Sequence, residues 1–352
     1  MKRSYRCVFF VAVFASTVAI VTFGLLLTLL GKLGFFGGEV NAVQATSSQT
    51  VEAIDAFPEI LLLGDDVIKL SSIDEYIEPG YSAIDNEDGD LTDSVTTNFV
   101  QIDGYNYQME YVVTDSNEQT TTVTRDIRII VGVICLTFDD GPSAQITPQI
   151  LDILEEKEVV ATFFVNGYSS EEEKGLVKRA YELGNVIGLH GYSHNYSEIY
   201  ANIDVLMENF YKIESLVVDT IGVSSKIIRF PGGTSNTISR NYCEGIMSEA
   251  VTRVTEEGYI YVDWNIDSND AGSDETNAEN IYNNVVSELQ SGRTNVVLMH
   301  DSSNKQATVD ALAGIIDYSI QNGYDFQTIT ESTDIHSSQH HTNNWKIIVE
   351  IL

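Results

Sequence analysis

The pattern of apolar and polar positions changes twice along this chain of 352 residues. From residue 131 onward, seven apolar runs of strand length alternate with segments that have helical spacing. The runs are VICLTF, VVATFFV, NVIGL, KIIRF, YIYVDW, NVVLMH and YDFQTI. This alternation predicts an α/β fold with a parallel sheet, either a barrel or an open doubly wound sheet. In both architectures, functional residues collect at the carboxyl ends of the strands.

Some of the intervening helices carry recognisable signals. Thr147 followed by Pro148 predicts a helix with Thr147 as its N-cap. Ser170 and Glu173 have the spacing of a capping box and predict the start of the next helix. A later helix has apolar side chains every three or four residues along one face, which we expect to be buried. These are Ile203, Leu206, Met207, Phe210 and Ile213.

The region from 58 to 131 has only strand and turn patterns. Short β-rich runs such as EILLLG, VIKLS and YQMEYVVTD are separated by NEDGD and DSNEQ. They predict a small all-β sandwich. The stretch YIEPGYSAIDNEDGDLTDSV resembles the immunoglobulin-like modules of bacterial surface proteins, which implies a spacing or adhesive role. Asp85, Asp88 and Asp90 predict an acidic turn, with a calcium site as the alternative.

The N-terminus carries a candidate membrane anchor. Lys2, Arg3 and Arg6 precede an uncharged run over residues 7–31. At ~1.5 Å per residue, such a helix exceeds the ~30 Å hydrocarbon core of a bilayer. The basic flank predicts a cytoplasmic N-terminus and a single-pass protein with everything after Lys32 outside the cell. A secretory signal cleaved after VQA, at 43–45, is the alternative.

Charge and cysteine content exclude several classes of protein. The chain has 52 acidic and 19 basic residues and a formal net charge of -33. Because nucleic-acid binding requires a basic face, we exclude a nucleic-acid partner. Three widely separated cysteines indicate neither a disulfide framework nor a cysteine zinc site. The sequence does not indicate an oligomeric state.

Polar residues follow five of the predicted strands. All six histidines of the chain lie either at these strand ends or in the C-terminal tail, a distribution that packing alone explains poorly. The strand-end residues are Asp139, Asp140, His190, His194, Arg229, Asp267, Asp270 and His300.

Two of these histidines have the spacing of metal ligands. His190 and His194 are four residues apart, so on a helical turn both imidazoles face the same way. One aspartate from the first strand completes a set of two nitrogens and one oxygen with an open coordination position. This set predicts a catalytic divalent metal, with zinc favoured and cobalt, nickel, manganese or iron as alternatives.

Five ordered motifs between residues 131 and 332 carry a family resemblance. TFDDGP, HGYSH, RFPGG, DWNIDSND and LMHD resemble the motifs of the polysaccharide deacetylases, carbohydrate esterase family 4, with their NodB-like domain. The resemblance implies a distorted (β/α) barrel and the hydrolysis of N-acetyl groups.

The resemblance also implies a role for each motif residue. Asp140, His190 and His194 would bind the metal, and Asp139 would be the general base, held in place by Arg229. His300 would be the general acid. Asp270 would orient it, with Asp267 as a competitor for that role. Gly232 would supply an oxyanion N–H, and Leu298 would line the pocket for the acetyl methyl group.

Besides Leu189, which replaces a common Asn, two positions depart from the family pattern. Gly191 stands where Ser or Thr usually follows the first histidine, and a change there would affect metal affinity. Ala271 stands where many members have Trp, which removes one wall of a sugar-binding groove.

Together these features predict a membrane-anchored, metal-dependent deacetylase of cell-wall polysaccharide, most naturally peptidoglycan N-acetylglucosamine. The alternatives are a chitooligosaccharide or acetyl-xylan deacetylase, or an inactive glycan-binding surface protein. The predicted regions are an anchor at 1–35, a linker at 36–57, the sandwich at 58–131, the deacetylase domain at 132–332 and a tail at 333–352.

Overall fold

The computed structural model describes residues 56–330 and residue 333. The predicted anchor at 1–35, most of the linker at 36–57 and nearly all of the tail at 333–352 lie outside the described residues. Among the helices of the described part, none has the length and apolar character needed to cross a membrane.

The first part of the described chain forms two small sheets. Strands β1, β3 and β4 make an antiparallel sheet, and the second sheet has the order β2-β7-β6-β5. Only the β2–β7 pairing is parallel within these two sheets. The strands are β1 Glu59–Leu62, β2 Val67–Leu70, β3 Tyr81–Asp85, β4 Gly89–Asp90, β5 Thr96–Gln101, β6 Asn106–Thr114 and β7 Thr120–Ile129.

The interior of this sandwich follows the alternation of its strands. Tyr111, Val113 and Ile127 are buried, as inward-facing positions should be. The buried Arg125 guanidinium donates to Glu78, which also accepts from the Tyr111 hydroxyl. These contacts link strands β6 and β7 to the loop before β3.

The acidic residues after β3 cap backbone amides. Asp85 accepts hydrogen bonds from the N–H groups of Glu87 and Asp88, each at 2.8 Å. The carboxylate of Asp88 accepts from the backbone N–H and the hydroxyl of Ser116. The acidic turn therefore joins the ends of β3 and β6.

The rest of the described chain alternates strands and helices. The strands are β8 Gly132–Asp139, β9 Ala161–Asn166, β10 Val186–Gly191, β11 Ile227–Ile228, β12 Ile260–Tyr261, β13 Ile266–Asp267, β14 Thr294–His300 and β15 Tyr324–Phe326. The helices are α1 Thr147–Glu156, α2 Glu171–Glu182, α3 Tyr196–Ile199, α4 Ile203–Ile221, α5 Ile246–Glu256, α6 Ala278–Glu288 and α7 Gln306–Gln321.

These eight strands form one parallel sheet in the order β12-β11-β10-β9-β8-β14-β13. β15 pairs with the first half of β8, and β9 pairs with its second half. Among the described residues, the end strands β12 and β13 do not pair with each other, so the barrel is open there. The prediction of a parallel β/α domain that follows a small all-β region is confirmed.

The helices bury the faces that their apolar spacing indicates. Leu206, Met207, Phe210 and Ile213 of α4 are buried against the sheet. The capping box of Ser170 and Glu173 at the start of α2 is confirmed. The prediction of Thr147 as an N-cap is wrong by one residue, because α1 begins at Thr147 itself.

Only two residues, 130 and 131, separate β7 from β8. The Val131 N–H donates to the Gly323 carbonyl at 2.7 Å, and Lys69 forms an ion pair with Asp325 at 2.5 Å. The sandwich therefore contacts the amino-terminal edge of the parallel sheet. The carboxyl ends of the strands lie at the opposite edge.

Candidate active site

Polar side chains from three strands meet at the carboxyl edge of the parallel sheet. Asp139 is the last residue of β8 and Asp140 follows it. His190 lies in β10, His194 lies in the loop after it, and His300 is the last residue of β14. Because β8, β10 and β14 lie within four consecutive strands of the sheet, in the order β10-β9-β8-β14, their ends open onto one site.

Three of these side chains converge as a metal-binding group. Oδ1 of Asp140 lies 3.6 Å from Nε2 of His190 and 3.5 Å from Nε2 of His194. Atoms held about 2.1 Å from a tetrahedral ion lie about 3.4 Å from one another. The two histidines and the aspartate, whose ligand atoms all lie within 4.8 Å of one another, therefore fit a divalent cation.

The surroundings of the three ligands favour the forms that bind metal. Nδ1 of His190 lies 2.9 Å from the Arg229 carbonyl, which only accepts, so Nε2 is left free of a proton. Burial lowers the pKa of His190 below that of an ordinary histidine. Burial opposes ionisation of Asp140, but the two neighbouring histidines hold its pKa below the ordinary value.

Asp140 is also fixed by its own backbone and by Asn166. Its φ of 73° lies in the left-handed region that aspartate tolerates better than most residues. The Asn166 side chain donates to Oδ1 at 2.9 Å. Both features turn the carboxylate toward the histidines.

Asp139 is held by a fully buried arginine. Nη1 of Arg229 donates to Oδ1 of Asp139 at 2.8 Å and to the Thr137 hydroxyl at 2.7 Å. The guanidinium also donates to two backbone carbonyls and lies 4.2 Å above the Phe164 ring. Oδ2 of Asp139 lies 3.8 Å from Nε2 of His190, so one oxygen borders the ligand group.

His300 is paired with Asp270. Nδ1 of His300 donates to Oδ1 of Asp270 at 2.7 Å, while the His300 N–H and the Thr308 hydroxyl each donate to Oδ2 at 2.8 Å. Burial opposes protonation of His300, but this hydrogen bond and the surrounding carboxylates raise its pKa to about 9. The other candidate, Asp267, instead accepts from the N–H of Asn269.

The two predicted substrate-binding residues lie at the same edge. Leu298 is buried in β14, two residues before His300, so both side chains project from one face of the strand. Gly232 lies in the loop after β11 with a φ of 78°. Within the described residues, its N–H has no hydrogen-bond partner.

Comparison with known sequences places this geometry in a family. The sequence model of the family described as polysaccharide deacetylase matches residues 130–246. A peptidoglycan-N-acetylglucosamine deacetylase of Bacillus cereus is 32% identical over 216 residues, which cover 61% of this chain and 94% of that protein. The chain belongs to the polysaccharide deacetylase family.

Two further matches support the assignment. The catalytic domain of a peptidoglycan N-acetylglucosamine deacetylase from Eubacterium rectale superposes with a TM-score of 0.56 at 38% identity, covering 60% of this chain and 94% of that domain. A bifunctional xylanase/deacetylase of Pseudobutyrivibrio xylanivorans is 30% identical over 62% of this chain but only 32% of its own length. Residues 60–129 match the family described as bacterial surface protein, Ig-like domain.

Asn209 lies beside Gly191, one of the positions that depart from the family pattern. Its side chain accepts from the Ser193 N–H at 2.7 Å and donates to the Ser193 carbonyl at 3.0 Å. A Cβ added at Gly191, where φ is 146°, would lie 2.4 Å from the Asn209 amide nitrogen. Asn209 therefore holds the loop between His190 and His194. The absence of a side chain at Gly191 leaves space for the Asn209 amide group.

Asn209 is not among the residues predicted from the sequence, although the sequence carries a signal for it. It is a polar residue on the otherwise apolar buried face of α4. A buried polar side chain needs a hydrogen-bond partner, and the partner here is the histidine loop.

Replacing Asn209 with alanine should weaken divalent-cation affinity by about 10–100-fold, as expected for a residue that orients a metal ligand. Asn202→Ala is a matched control, because Asn202 accepts from Val205 at the start of the same helix. Loss of that cap should lower stability by about 1 kcal/mol without changing cation affinity. Metal titration with thermal unfolding separates the two effects. Equal cation affinities in the two variants would contradict the role of Asn209.

Two further residues lie at the site, Asp301 at the end of the LMHD motif and Ala271 directly after the DWNIDSND motif. Asp301 is buried directly after His300, its N–H donates to the Asp139 carbonyl at 3.0 Å, and its carboxylate accepts from Thr147. Burial raises the pKa of Asp301 to about 7. Ala271, the second departure from the family pattern, is exposed next to the buried Asp270.

Proposed function

We propose that this chain is a metal-dependent hydrolase that removes N-acetyl groups from the N-acetylglucosamine of peptidoglycan. The observation that carries the proposal is the meeting of three kinds of group at one sheet edge. These are a two-histidine, one-aspartate ligand set, a carboxylate fixed by a buried arginine, and a histidine paired with an aspartate.

In this proposal, Asp140, His190 and His194 hold the metal. Two imidazole nitrogens and one carboxylate oxygen suit zinc, and they also suit cobalt, nickel, manganese or iron. When bound, the cation would polarise the acyl carbonyl and lower the pKa of a water molecule toward neutrality.

Asp139 would act as general base and His300 as general acid. Asp139 accepts a proton from the attacking water while Arg229 holds its carboxylate in place. The water oxygen bonds to the acyl carbon, and the N–H of Gly232 stabilises the charge that develops on the acyl oxygen. The carbon–nitrogen bond then breaks, and His300 donates a proton to the departing amine. The products are acetate and the free amino sugar.

The Bacillus cereus and Eubacterium rectale relatives are peptidoglycan N-acetylglucosamine deacetylases, and this similarity favours peptidoglycan as the substrate. Acetylated xylan remains a second candidate, because the Pseudobutyrivibrio relative is a xylanase/deacetylase. Chitooligosaccharides would present the same acetamido group. A glycan-binding protein without activity is the alternative from another class, with Gly191 and Ala271 in its favour.

The experiment is acetate release by the full chain purified in detergent with a defined divalent metal. Muropeptides, chitooligomers and acetylated xylan are offered separately, and mass spectrometry locates the sugar that loses its acetyl group. We expect release from the N-acetylglucosamine of muropeptides. Release from acetylated xylan alone would identify xylan, and not peptidoglycan, as the substrate. A metal-loaded protein that binds glycan without releasing acetate would be a glycan-binding protein without activity.

The pairing of His300 with Asp270 predicts a pH dependence. The raised pKa of about 9 keeps His300 protonated at neutral pH, so activity should decline on the alkaline side near that value. Asp270→Asn removes the anion that favours the imidazolium, so the alkaline limb should move down toward the ordinary histidine value of about 6.5. Asp267→Asn is the control and should leave the limb nearly in place. The alkaline limb of each variant is measured from the profile of kcat/KM against pH. If the limb of Asp270→Asn stayed at the position seen in the unchanged protein, the pairing of His300 with Asp270 would be refuted.

We also propose that the chain is anchored in the cell membrane by residues 7–31, with the catalytic domain outside. The basic flank and the length of the uncharged run support this topology. Membrane fractionation should find the protein in the membrane, and external protease should release a fragment that begins within 36–56. A soluble protein that begins near residue 45 in the medium would indicate a cleaved signal instead.

A further inference from the structure

Tyr196 lies beside the proposed acyl-binding position but belongs to none of the five motifs. It is the first residue of α3, two residues after His194. Its ring meets the His194 ring edge-on, with centroids 5.3 Å apart and an interplanar angle of 80°. On another side it contacts the ring of Tyr200 at 5.5 Å, and the Tyr200 hydroxyl donates to the Pro231 carbonyl at 2.7 Å. The Tyr196 ring is therefore held between a metal-ligand histidine and the loop that carries Gly232.

The Tyr196 hydroxyl approaches Gly232 closely. A Cβ added at Gly232 would lie 2.6 Å from this oxygen, which is closer than any real side chain allows. A residue other than glycine would exclude the hydroxyl, besides being strained at this positive φ. Gly232 thus brings a phenol and a backbone N–H side by side.

Both of these donors lack a partner within the part of the chain that the structure describes. The Tyr196 hydroxyl makes no hydrogen bond there, in contrast to the hydroxyls of Tyr168 and Tyr200. The N–H of Gly232 has no partner either. Two adjacent unpaired donors beside a metal-ligand histidine are the arrangement that stabilises negative charge on an acyl oxygen.

We infer that the Tyr196 hydroxyl donates a hydrogen bond to the acyl oxygen of the substrate, next to the N–H of Gly232. The inference rests on the proposed deacetylase function and adds a side chain to its oxyanion site. A phenol keeps its proton near neutral pH and can serve as a donor throughout the reaction. No bond to Tyr196 forms or breaks.

Tyr196→Phe tests the inference, because it removes only the hydroxyl and keeps both ring contacts. In the metal-loaded full chain, kcat and kcat/KM for acetate release should fall together by about 10²-fold, with KM nearly unchanged. Metal content should equal that of the unchanged protein. Tyr181→Phe is the matched control, since Tyr181 is exposed on α2, and it should keep full activity.

Three outcomes would overturn the inference. An unchanged kcat would show that the hydroxyl does not act on the transition state. A higher KM with unchanged kcat would assign Tyr196 to sugar binding. Loss of metal in Tyr196→Phe would indicate that Tyr196 supports His194 as a metal ligand and does not act on the acyl oxygen.

A second measurement does not depend on turnover. Acetate is titrated into the Co²⁺-loaded protein and into its Tyr196→Phe variant, with the visible absorption of the cobalt as the signal. If the hydroxyl contacts an acyl oxygen, the variant should bind acetate about tenfold or more weakly, as for loss of a hydrogen bond to a charged group. Equal affinities would refute the contact. If the unchanged protein released no acetate from any saccharide, the proposed function would fail, and this titration would still decide the role of Tyr196.

Discussion

Replacing His194 with alanine should lower divalent-cation affinity by more than about 100-fold and abolish acetate release at ordinary metal concentrations. The change removes one of three ligands, and a ligand contributes more than the residues that orient it. His194 suits this test better than His190, because its side chain is 34% exposed and that of His190 only 3%. His194→Ala therefore leaves little internal cavity, so metal loss is not confused with unfolding.

The measurement is metal content after dialysis, together with acetate release and thermal unfolding. His340→Ala is the matched control, because it removes a histidine of the tail and leaves the three-ligand set complete. It should keep both metal and activity. Full metal content in His194→Ala would show that the ligand set is wrong, and metal loss in the tail variant would point to a second site.

The parallel β/α domain could be predicted because its signal is local. Each strand is an apolar run, each helix has a 3.6-residue period, and parallel order brings every strand end to one edge. The convergence of Asp140, His190 and His194 follows from that order, because only β9 separates β8 from β10 and the ends of these strands lie close together. Sequence alone was therefore sufficient to nominate these residues, and the structure gives their distances.

The short strands were harder to predict. KIIRF and YIYVDW have the length of full strands, but β11 and β12 contain only two residues each. The Arg229 side chain, directly after β11, runs into the site and donates to the backbone that follows β12. β5 has no alternation in its sequence, because all six of its residues are exposed at a sheet edge.

Contacts between distant segments were not predictable from local pattern. The close approach of Asn209 to Gly191 joins helix α4 to the end of strand β10, and that of Tyr196 to Gly232 joins the start of α3 to the loop after β11. In both pairs, a glycine leaves the space that the polar group of the other residue occupies. A single sequence shows the glycine and the polar residue separately but not their juxtaposition. The departure at Gly191 was therefore visible in the sequence, while the contact of Asn209 with the loop between the two histidines was not.

The two adjacent aspartates should respond differently to the same substitution. Asp139→Asn keeps Asp140, His190 and His194, so metal content should stay near normal. It removes the proposed base, and turnover should fall by about 10²–10⁴-fold, the usual contribution of general base catalysis. Added metal should not restore the rate. Arg229 keeps its bonds to Thr137 and to two backbone carbonyls, which should hold the guanidinium in place.

Asp140→Asn is the matched partner of this experiment. An amide is a weaker ligand than a carboxylate, so metal affinity should fall and excess metal should recover part of the rate. Metal content, acetate release with and without added metal, and thermal unfolding are measured for both variants. If Asp139→Asn lost metal while Asp140→Asn kept it, the two roles would be exchanged. If neither variant changed in metal content or rate, the pair would be only a turn at the end of β8. The deacetylase mechanism would then lack both its ligand and its base.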